Sequence, residues 1–258
     1  MNTLLDFNFS NQRVLIRVDF NVPLNDDLQI TDKTRIEAAL PTIKYLINCD
    51  AKVILMSHLG RPKNKEHNYS LMHIVKELGL SLKTNVHFID DCIGEKVQNK
   101  INQLIPGEVL LLENLRYYDQ EKKGDFTFAK ELSKLADYYV NDAFGTAHRS
   151  HASTAVIAQF FNNKKCFGFL LENEIKQLSK VIDKPEKPLT AIIGGSKVST
   201  KITVIENILK VVDHLIIGGG MTFTFIKALG GQIGDSICED DKLSVAKDIL
   251  KSAKKKPC

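Results

Sequence analysis

Val14-Leu15-Ile16-Arg17-Val18-Asp19-Phe20-Asn21-Val22-Pro23 passes from a short β-rich apolar run into a polar turn, and the same passage recurs along the chain. Val53–Ser57 runs into His58-Leu59-Gly60-Arg61-Pro62, and Val109–Leu112 into Glu113-Asn114-Leu115-Arg116. Tyr138–Asn141 runs into Asp142-Ala143-Phe144-Gly145-Thr146-Ala147-His148-Arg149. Further runs of this kind are Val86–Ile89, Thr190–Ile193 and His214–Ile217. Between them lie segments of helical period: Lys33–Ile47, Ser70–Leu78, Gly94–Gln103, Asp125–Ala136, Thr154–Phe161, Glu172–Ile182, Thr200–Lys210 and Asp240–Lys251. Strand–helix alternation predicts a parallel sheet with helices on both faces. Strands that are continuous apolar runs fit that arrangement, because both of their faces are covered.

The clearest punctuation is Lys184-Pro185-Glu186-Lys187-Pro188, two prolines and charge between a helix and a strand. Such a stretch marks a domain boundary. The reading is an α/β protein of two Rossmann-like parallel-sheet domains, the second incomplete. Residues 1–170 form the first, 171–188 a connecting helix and hinge, and 189–258 the second. Two clear strands and about three helices fill the second, which leaves its sheet with uncovered faces and edges.

Composition narrows the partners. With 43% hydrophobic and 26% charged residues, the 258-residue chain has the balance of a soluble globular protein. A net charge of +4, part of it in the run Lys254-Lys255-Lys256, is too small to argue for nucleic acid, and no basic stripe interleaves with aromatics. Cys49, Cys92, Cys166, Cys238 and Cys258 are scattered and form no C-x-x-C pair, so free thiols in a reducing compartment are expected, with no zinc framework. Met1–Ser10 carries acid and no apolar core run, unlike a signal peptide. The longest uncharged apolar stretch, Leu215–Ile226, is short and holds three glycines, so no membrane span is expected and the cytoplasm is the default.

Ligands of open parallel sheets bind just beyond the carboxyl ends of the strands. The four turns after the strands of the first domain place Asp19, Asn21, His58, Arg61, Arg116 and Arg149 on one rim, and Arg35 in the next helix can reach it. Any one of these arginines alone reads as a surface residue or as the partner of a nearby glutamate. Four turns sharing one rim favour a small, multiply anionic ligand with hydroxyls, since guanidinium forks bind phosphate or carboxylate bidentately. His148 and His151 have metal-compatible spacing, but no Cys or carboxylate cluster accompanies them in sequence, and a histidine beside a phosphate pocket is the simpler account.

The second domain repeats the pattern with glycines. Thr190–Ile193 ends in Gly194-Gly195-Ser196-Lys197-Val198-Ser199-Thr200-Lys201, and His214–Ile217 ends in Gly218-Gly219-Gly220-Met221, each opening a helix. Glycines let backbone approach a ligand, and helix N-termini favour anions. Lys197 and Lys201, four apart, are expected to share a helical face toward phosphates. Neither a Walker A loop nor a G-x-G-x-x-G fingerprint is present. Together the two loops point to a nucleotide, whereas either alone also reads as tight helix–strand packing.

These motifs, in this order from about Arg13 to the end of the chain, resemble those of the phosphoglycerate kinases. The first is Arg17-Val18-Asp19-Phe20-Asn21-Val22-Pro23. Ser57–Pro62, Glu113–Arg116, Asn141–Arg149, Gly194–Val198 with Lys201, and Gly218–Met221 follow it. The resemblance implies reversible phosphoryl transfer from 1,3-bisphosphoglycerate to ADP, giving 3-phosphoglycerate and ATP, in a monomeric cytoplasmic enzyme that closes its domains about 171–188. It implies that Asp19, Phe20, Asn21, Arg35, His58, Leu59, Gly60, Arg61, Arg116 and Arg149 form the phosphoglycerate site. Gly195, Lys197, Lys201, Gly218, Gly219 and Gly220 would form part of the nucleotide site. Arg35 is similar to a residue that steadies the transferring phosphoryl, and Lys197 to one that follows it between substrates. Mg²⁺ would arrive with ATP or ADP, with no metal ligand of its own in this chain. Family members continue past the Asp240–Lys251 helix with further strands and a late glycine-rich loop, so the resemblance also implies little or no turnover from these residues alone. The alternative is a phosphoglycerate-binding fragment with little or no catalysis. An NAD-dependent dehydrogenase on a similar sheet is disfavoured by the missing fingerprint and by the arginine-rich rim.

Overall fold

A computed structural model describes residues 2–183 and 186–254. The expectations placed on Lys184 and Pro185, and on Lys255, Lys256 and Cys258, fall outside these residues. The chain forms two compact units, Met1–Ile175 and Lys176–Cys258.

The first unit is laid out as β1 (Arg13–Arg17), α1 (Thr34–Asn48), β2 (Lys52–Met56), α2 (Val75–Leu82), β3 (Val86–Phe88), α3 (Glu95–Asn102) and β4 (Val109–Leu111). It continues with α4 (Asp119–Lys123), α5 (Phe126–Ser133), β5 (Tyr138–Asn141) and β6 (Lys165–Phe167). The long helix α6 (Phe169–Asp183) begins in it, and the division between the units falls inside that helix. All six strands are parallel, in the order β3-β4-β2-β1-β5-β6. Central β1 pairs Val14 with Val53 on one side and with Tyr138 on the other.

Alternation within the strands builds two cores, one per face, because successive side chains of a strand point to opposite sides. Val14, Ile16, Val53, Leu55, Val109 and Leu111 join Ile36, Ile43 and Leu46 of α1 and Leu78 of α2. Leu15, Ile54, Met56 and Leu110 face the other way, onto Val97 and Ile101 of α3 and Phe128 and Leu132 of α5. The apolar runs are thus covered on both sides, and they aim every β-to-α turn at one edge.

Three elements depart from the sequence reading. Lys165-Cys166-Phe167 is too short and mixed to read as a strand, yet it completes the sheet beside β5. Ser70–Leu78 splits into a 3₁₀ turn, Leu71–Ile74, and α2, which Lys83 ends in the left-handed region at φ 58°. Thr154–Phe161 is not an α-helix: a π turn over Ala152–Val156 leads into a 3₁₀ turn over Ile157–Phe161. There the side chain of Thr154 donates to Arg149 O at 2.8 Å and that of Ser153 turns to Glu121, competing with regular helical bonding.

The second unit carries β7 (Thr190–Gly194), α7 (Ile202–Leu209), β8 (His214–Gly218), α8 (Met221–Ala228) and α9 (Leu243–Lys254). β7 and β8 are parallel, with Gly194 opposite Gly218. Ile193, Val198, Ile205, Met221, Phe225, Ala246 and Ile249 form its core. Ile192 and Ile216, on the same strands, stand 74% and 52% exposed, so one face of this sheet is uncovered among the described residues. No helix among the described residues is long and apolar enough to cross a membrane.

Candidate functional site

Each turn at the carboxyl edge of the first sheet is tied to its neighbour. Asn21 Oδ1 accepts from Gly60 N at 2.7 Å, joining the β1 turn to the β2 turn. Ser57 Oγ accepts from Phe20 N at 2.8 Å across the same gap. Asn114, fully buried after β4, accepts from Leu59 N and donates Nδ2 to Leu59 O and Tyr69 O, both at 2.8 Å. Glu113, also buried, takes Ser70 Oγ at 2.7 Å and the amides of Leu71 and Asn114 at 2.8 Å. Buried polar groups cost free energy unless paired, and here the pairs hold the rim. Gly60 lies at φ +60° with the Tyr69 ring where a side chain would project, so only glycine fits this turn.

The expected site residues gather on this edge in two ways. Phe20 and Leu59 point into the core, and their backbone amides are already used by Ser57 and Asn114, so they act as framework. Asp19, Asn21, Arg35, His58, Gly60, Arg61, Arg116 and Arg149 remain on the rim. Arg35, from the first turn of α1, pairs with Asp19, whose other oxygen accepts from Asn21 N at 3.1 Å. Arg116 donates to Gly60 O. Arg61 and Arg149 are exposed, and their guanidiniums have no hydrogen-bond or ionic partner among the described residues.

The electrostatics show that these groups share one neighbourhood. Burial, then the guanidiniums of Arg149, Arg17 and Arg61, push the Arg116 pKa below its ordinary value, with Glu121 opposing. His58 is pushed down to about 2, first by burial and then by Arg17, Arg116, Arg35 and His151, so its imidazole is neutral. Like charges assembled without a matching anion are unfavourable until an anion arrives.

Beneath the rim lies a network that sequence reasoning missed. Arg17, 1% exposed, donates Nε to Ser153 Oγ at 2.9 Å, Nη2 to His58 Nδ1 at 3.0 Å and Nη1 to Val18 O. Glu121, also 1% exposed, accepts Ser153 Oγ at 2.6 Å and Ser153 N at 2.9 Å, with His151 Nδ1 at 3.6 Å. The available signal was Arg17 itself, a charge inside an apolar strand, which is almost never buried unpaired. Glu121 gave none, since Asp119–Lys123 reads as a solvated charged turn. On the opposite side, Asp142 Oδ1 accepts from Leu171 N at 3.1 Å at the start of α6. Its other oxygen is buried without a hydrogen-bond partner among the described residues, and burial raises its pKa.

In the second unit the two glycine turns pack on each other. Met221 N donates to Gly195 O at 2.9 Å. Gly219 has φ +73°, and a side chain there would meet Gly195 O at 2.8 Å. The lysines depart from expectation: α7 begins at Ile202, Lys201 is its N-cap, and Lys197 lies in the preceding turn. They therefore share no helical face. Val198, buried in the core, pins this turn, and Lys201 N bonds Val198 O at 2.8 Å. Lys197 is exposed and Lys201 half-buried, with no ionic partner among the described residues.

A rim of guanidiniums on one parallel sheet and paired glycine turns on another define an α/β protein with two distinct sets of strand-end turns. Comparison with known proteins narrows the class. Residues 4–258 match the family described as Phosphoglycerate kinase, and the chain belongs to it. It is 49% identical to a phosphoglycerate kinase of Porphyromonas gingivalis, over 98% of this chain and 66% of that protein. Against one of Prochlorococcus marinus it is 54% identical, over 95% of this chain and 61% of the relative. The phosphoglycerate kinase structure from Coxiella burnetii superposes with a TM-score of 0.86 at 40% identity, covering 98% of this chain and 63% of that one. The chain thus spans about 61–66% of the length of the curated relatives it matches. Family membership sets the dehydrogenase reading aside.

Proposed function

We propose that this chain positions phosphoglycerate and nucleotide for phosphoryl transfer between 1,3-bisphosphoglycerate and ADP, giving 3-phosphoglycerate and ATP. The observation that carries the reading is the shared field of Arg17, Arg61, Arg116 and Arg149 at one strand edge, beside neutral His58. Phosphoryl transfer asks a protein mainly for positioning and charge neutralisation. An acyl phosphate is itself a good leaving group, so no general base is needed. In this reading Arg61, Arg116 and Arg149 take the acid's anionic groups, and Asp19 and Asn21 take its hydroxyl. Arg35, now on Asp19, swings to the transferring phosphoryl. The Gly195 and Gly218–Gly220 turns, with Lys197 and Lys201, receive nucleotide phosphates. Mg²⁺ bound to those phosphates would share their charge; among the described residues no group of three His, Cys, Asp or Glu stands together to hold an ion. We place the protein in the cytoplasm as a monomer; one relative, 51% identical, is named a cytosolic phosphoglycerate kinase of Arabidopsis thaliana.

Calorimetric titration with 3-phosphoglycerate, and separately with Mg-ADP, tests this. Saturable acid binding that disappears in Arg116→Ala supports it, and absence of acid binding by the wild-type chain sinks it. A second reading, an acid-binding piece with little turnover, is favoured by Ile192 and Ile216, uncovered among the described residues on the sheet that carries the glycine turns. A coupled ATP-forming assay on a polypeptide of verified mass separates the two.

A further inference from the structure

We propose that Glu121 is a positioning residue for the rim: through Ser153 and Arg17 it fixes His58 in the tautomer protonated on Nε2. The direction of every bond in this relay is forced. A guanidinium can only donate and a carboxylate can only accept. Ser153 Oγ therefore accepts from Arg17 Nε at 2.9 Å and gives its own proton to Glu121 Oε1 at 2.6 Å. Ser153 N donates to Glu121 Oε2 at 2.9 Å and locks the carboxylate plane. Arg17, Ser153 and Glu121 are each at most 1% exposed, so water has no room to replace a lost partner.

The far end of the relay is the imidazole. Arg17 Nη2 approaches His58 Nδ1 at 3.0 Å, so Nδ1 carries the lone pair and the ring proton sits on Nε2. Nε2 has no hydrogen-bond partner among the described residues, and its N–H remains available to a ligand oxygen. The charged and titratable groups facing His58 are Arg17, Arg116, Arg35 and His151, none of them an anion, so a second ring proton is disfavoured. Glu121 supplies the buried negative charge that keeps Arg17 in this geometry beneath the other guanidiniums. The rim then offers a neutral donor among cations, suited to a hydroxyl or carboxylate oxygen beside a phosphate. That last step rests on the proposed phosphoglycerate site, whereas the relay does not.

Long-range ¹H–¹⁵N spectra of histidine-labelled protein read the tautomer directly. In the wild-type chain His58 should stay neutral and Nε2-protonated from about pH 8 to about pH 5, across the ordinary imidazole pKa of about 6.5. Glu121→Gln and Ser153→Ala should each turn that signal into a tautomer mixture and weaken 3-phosphoglycerate binding about tenfold. An Nδ1-protonated or mixed His58 in the wild type, or variants that leave the tautomer unchanged, overturns the proposal. If Glu121→Gln does not fold, the wild-type spectrum and Ser153→Ala still decide. A wild-type chain that shows the expected tautomer response but does not bind 3-phosphoglycerate keeps the relay and removes the ligand assignment.

Discussion

At the carboxyl edge of the first sheet the chain gathers guanidiniums; at that of the second it gathers glycines. The first edge works through side-chain charge, and charge needs counter-structure: Glu113, Asn114 and Glu121 lie beneath it, each at most 4% exposed and fully hydrogen-bonded. The second works through backbone approach, and needs only that Gly219 and Gly195 fit against each other with no side chain between them. A charged site draws on the core of its domain. The paired glycine turns stand instead on a sheet with one face open among the described residues.

That contrast is tested most severely in the cores. Ile54, fully buried between sheet and helices, should cost about 2–5 kcal/mol when cut to alanine. Ile216→Ala should stay within about 0.5 kcal/mol, because its side chain is 52% exposed. Hydrogen exchange at β2 and β8 amides measures both, and equal losses would erase the distinction. Next in size, Arg116→Ala should weaken 3-phosphoglycerate binding about 30-fold or more, as expected for a charge-assisted pair, and leave Mg-ADP affinity unchanged. Loss of both affinities would mean that the two edges are not separate sites. The converse probe is Gly219→Ala, at φ +73° with Gly195 O in the way. It should reduce Mg-ADP affinity about tenfold through local strain and spare the acid. A smaller effect than at either edge belongs to Asp137, whose carboxyl is held below the ordinary range chiefly by its hydrogen bond from Arg13, at 2.7 Å to Nη2. Its stabilisation is present above the unfolded value of about 3.9 and fades as pH falls through the lower folded value. Asp137→Asn should therefore cost about 1 kcal/mol at neutral pH, with the cost starting to shrink near about pH 4 and gone only below the lower folded value, in acid titrations of unfolding.

The fold was legible wherever period and burial agree. Val14–Val18 and Val53–Ser57 announce central strands because both faces are apolar, and the turns behind them carry the rim. β6 was invisible because three residues with a lysine have no period, and only pairing to Tyr139–Asn141 makes them a strand. Thr154–Phe161 misled because helical spacing was present while Ser153 and Thr154 spent their hydroxyls elsewhere. The gathering of Arg61, Arg116 and Arg149 at one edge could be read from position alone. The Lys197–Lys201 pair could not, because the spacing presumed a helix that starts at Ile202. Glu121 was unreadable because its meaning lies in a contact with Ser153, 32 residues away.

β1 sits in the middle of its sheet yet waits for β5, and Arg13 meets Asp137 across 124 residues. During synthesis the first two strands therefore leave the ribosome long before their other neighbour exists. Contacts of such separation slow folding and leave apolar edges open to misassembly. The buried network beneath the rim is among the last things the nascent unit can complete, since Ser153 must emerge before Arg17 Nε has its partner.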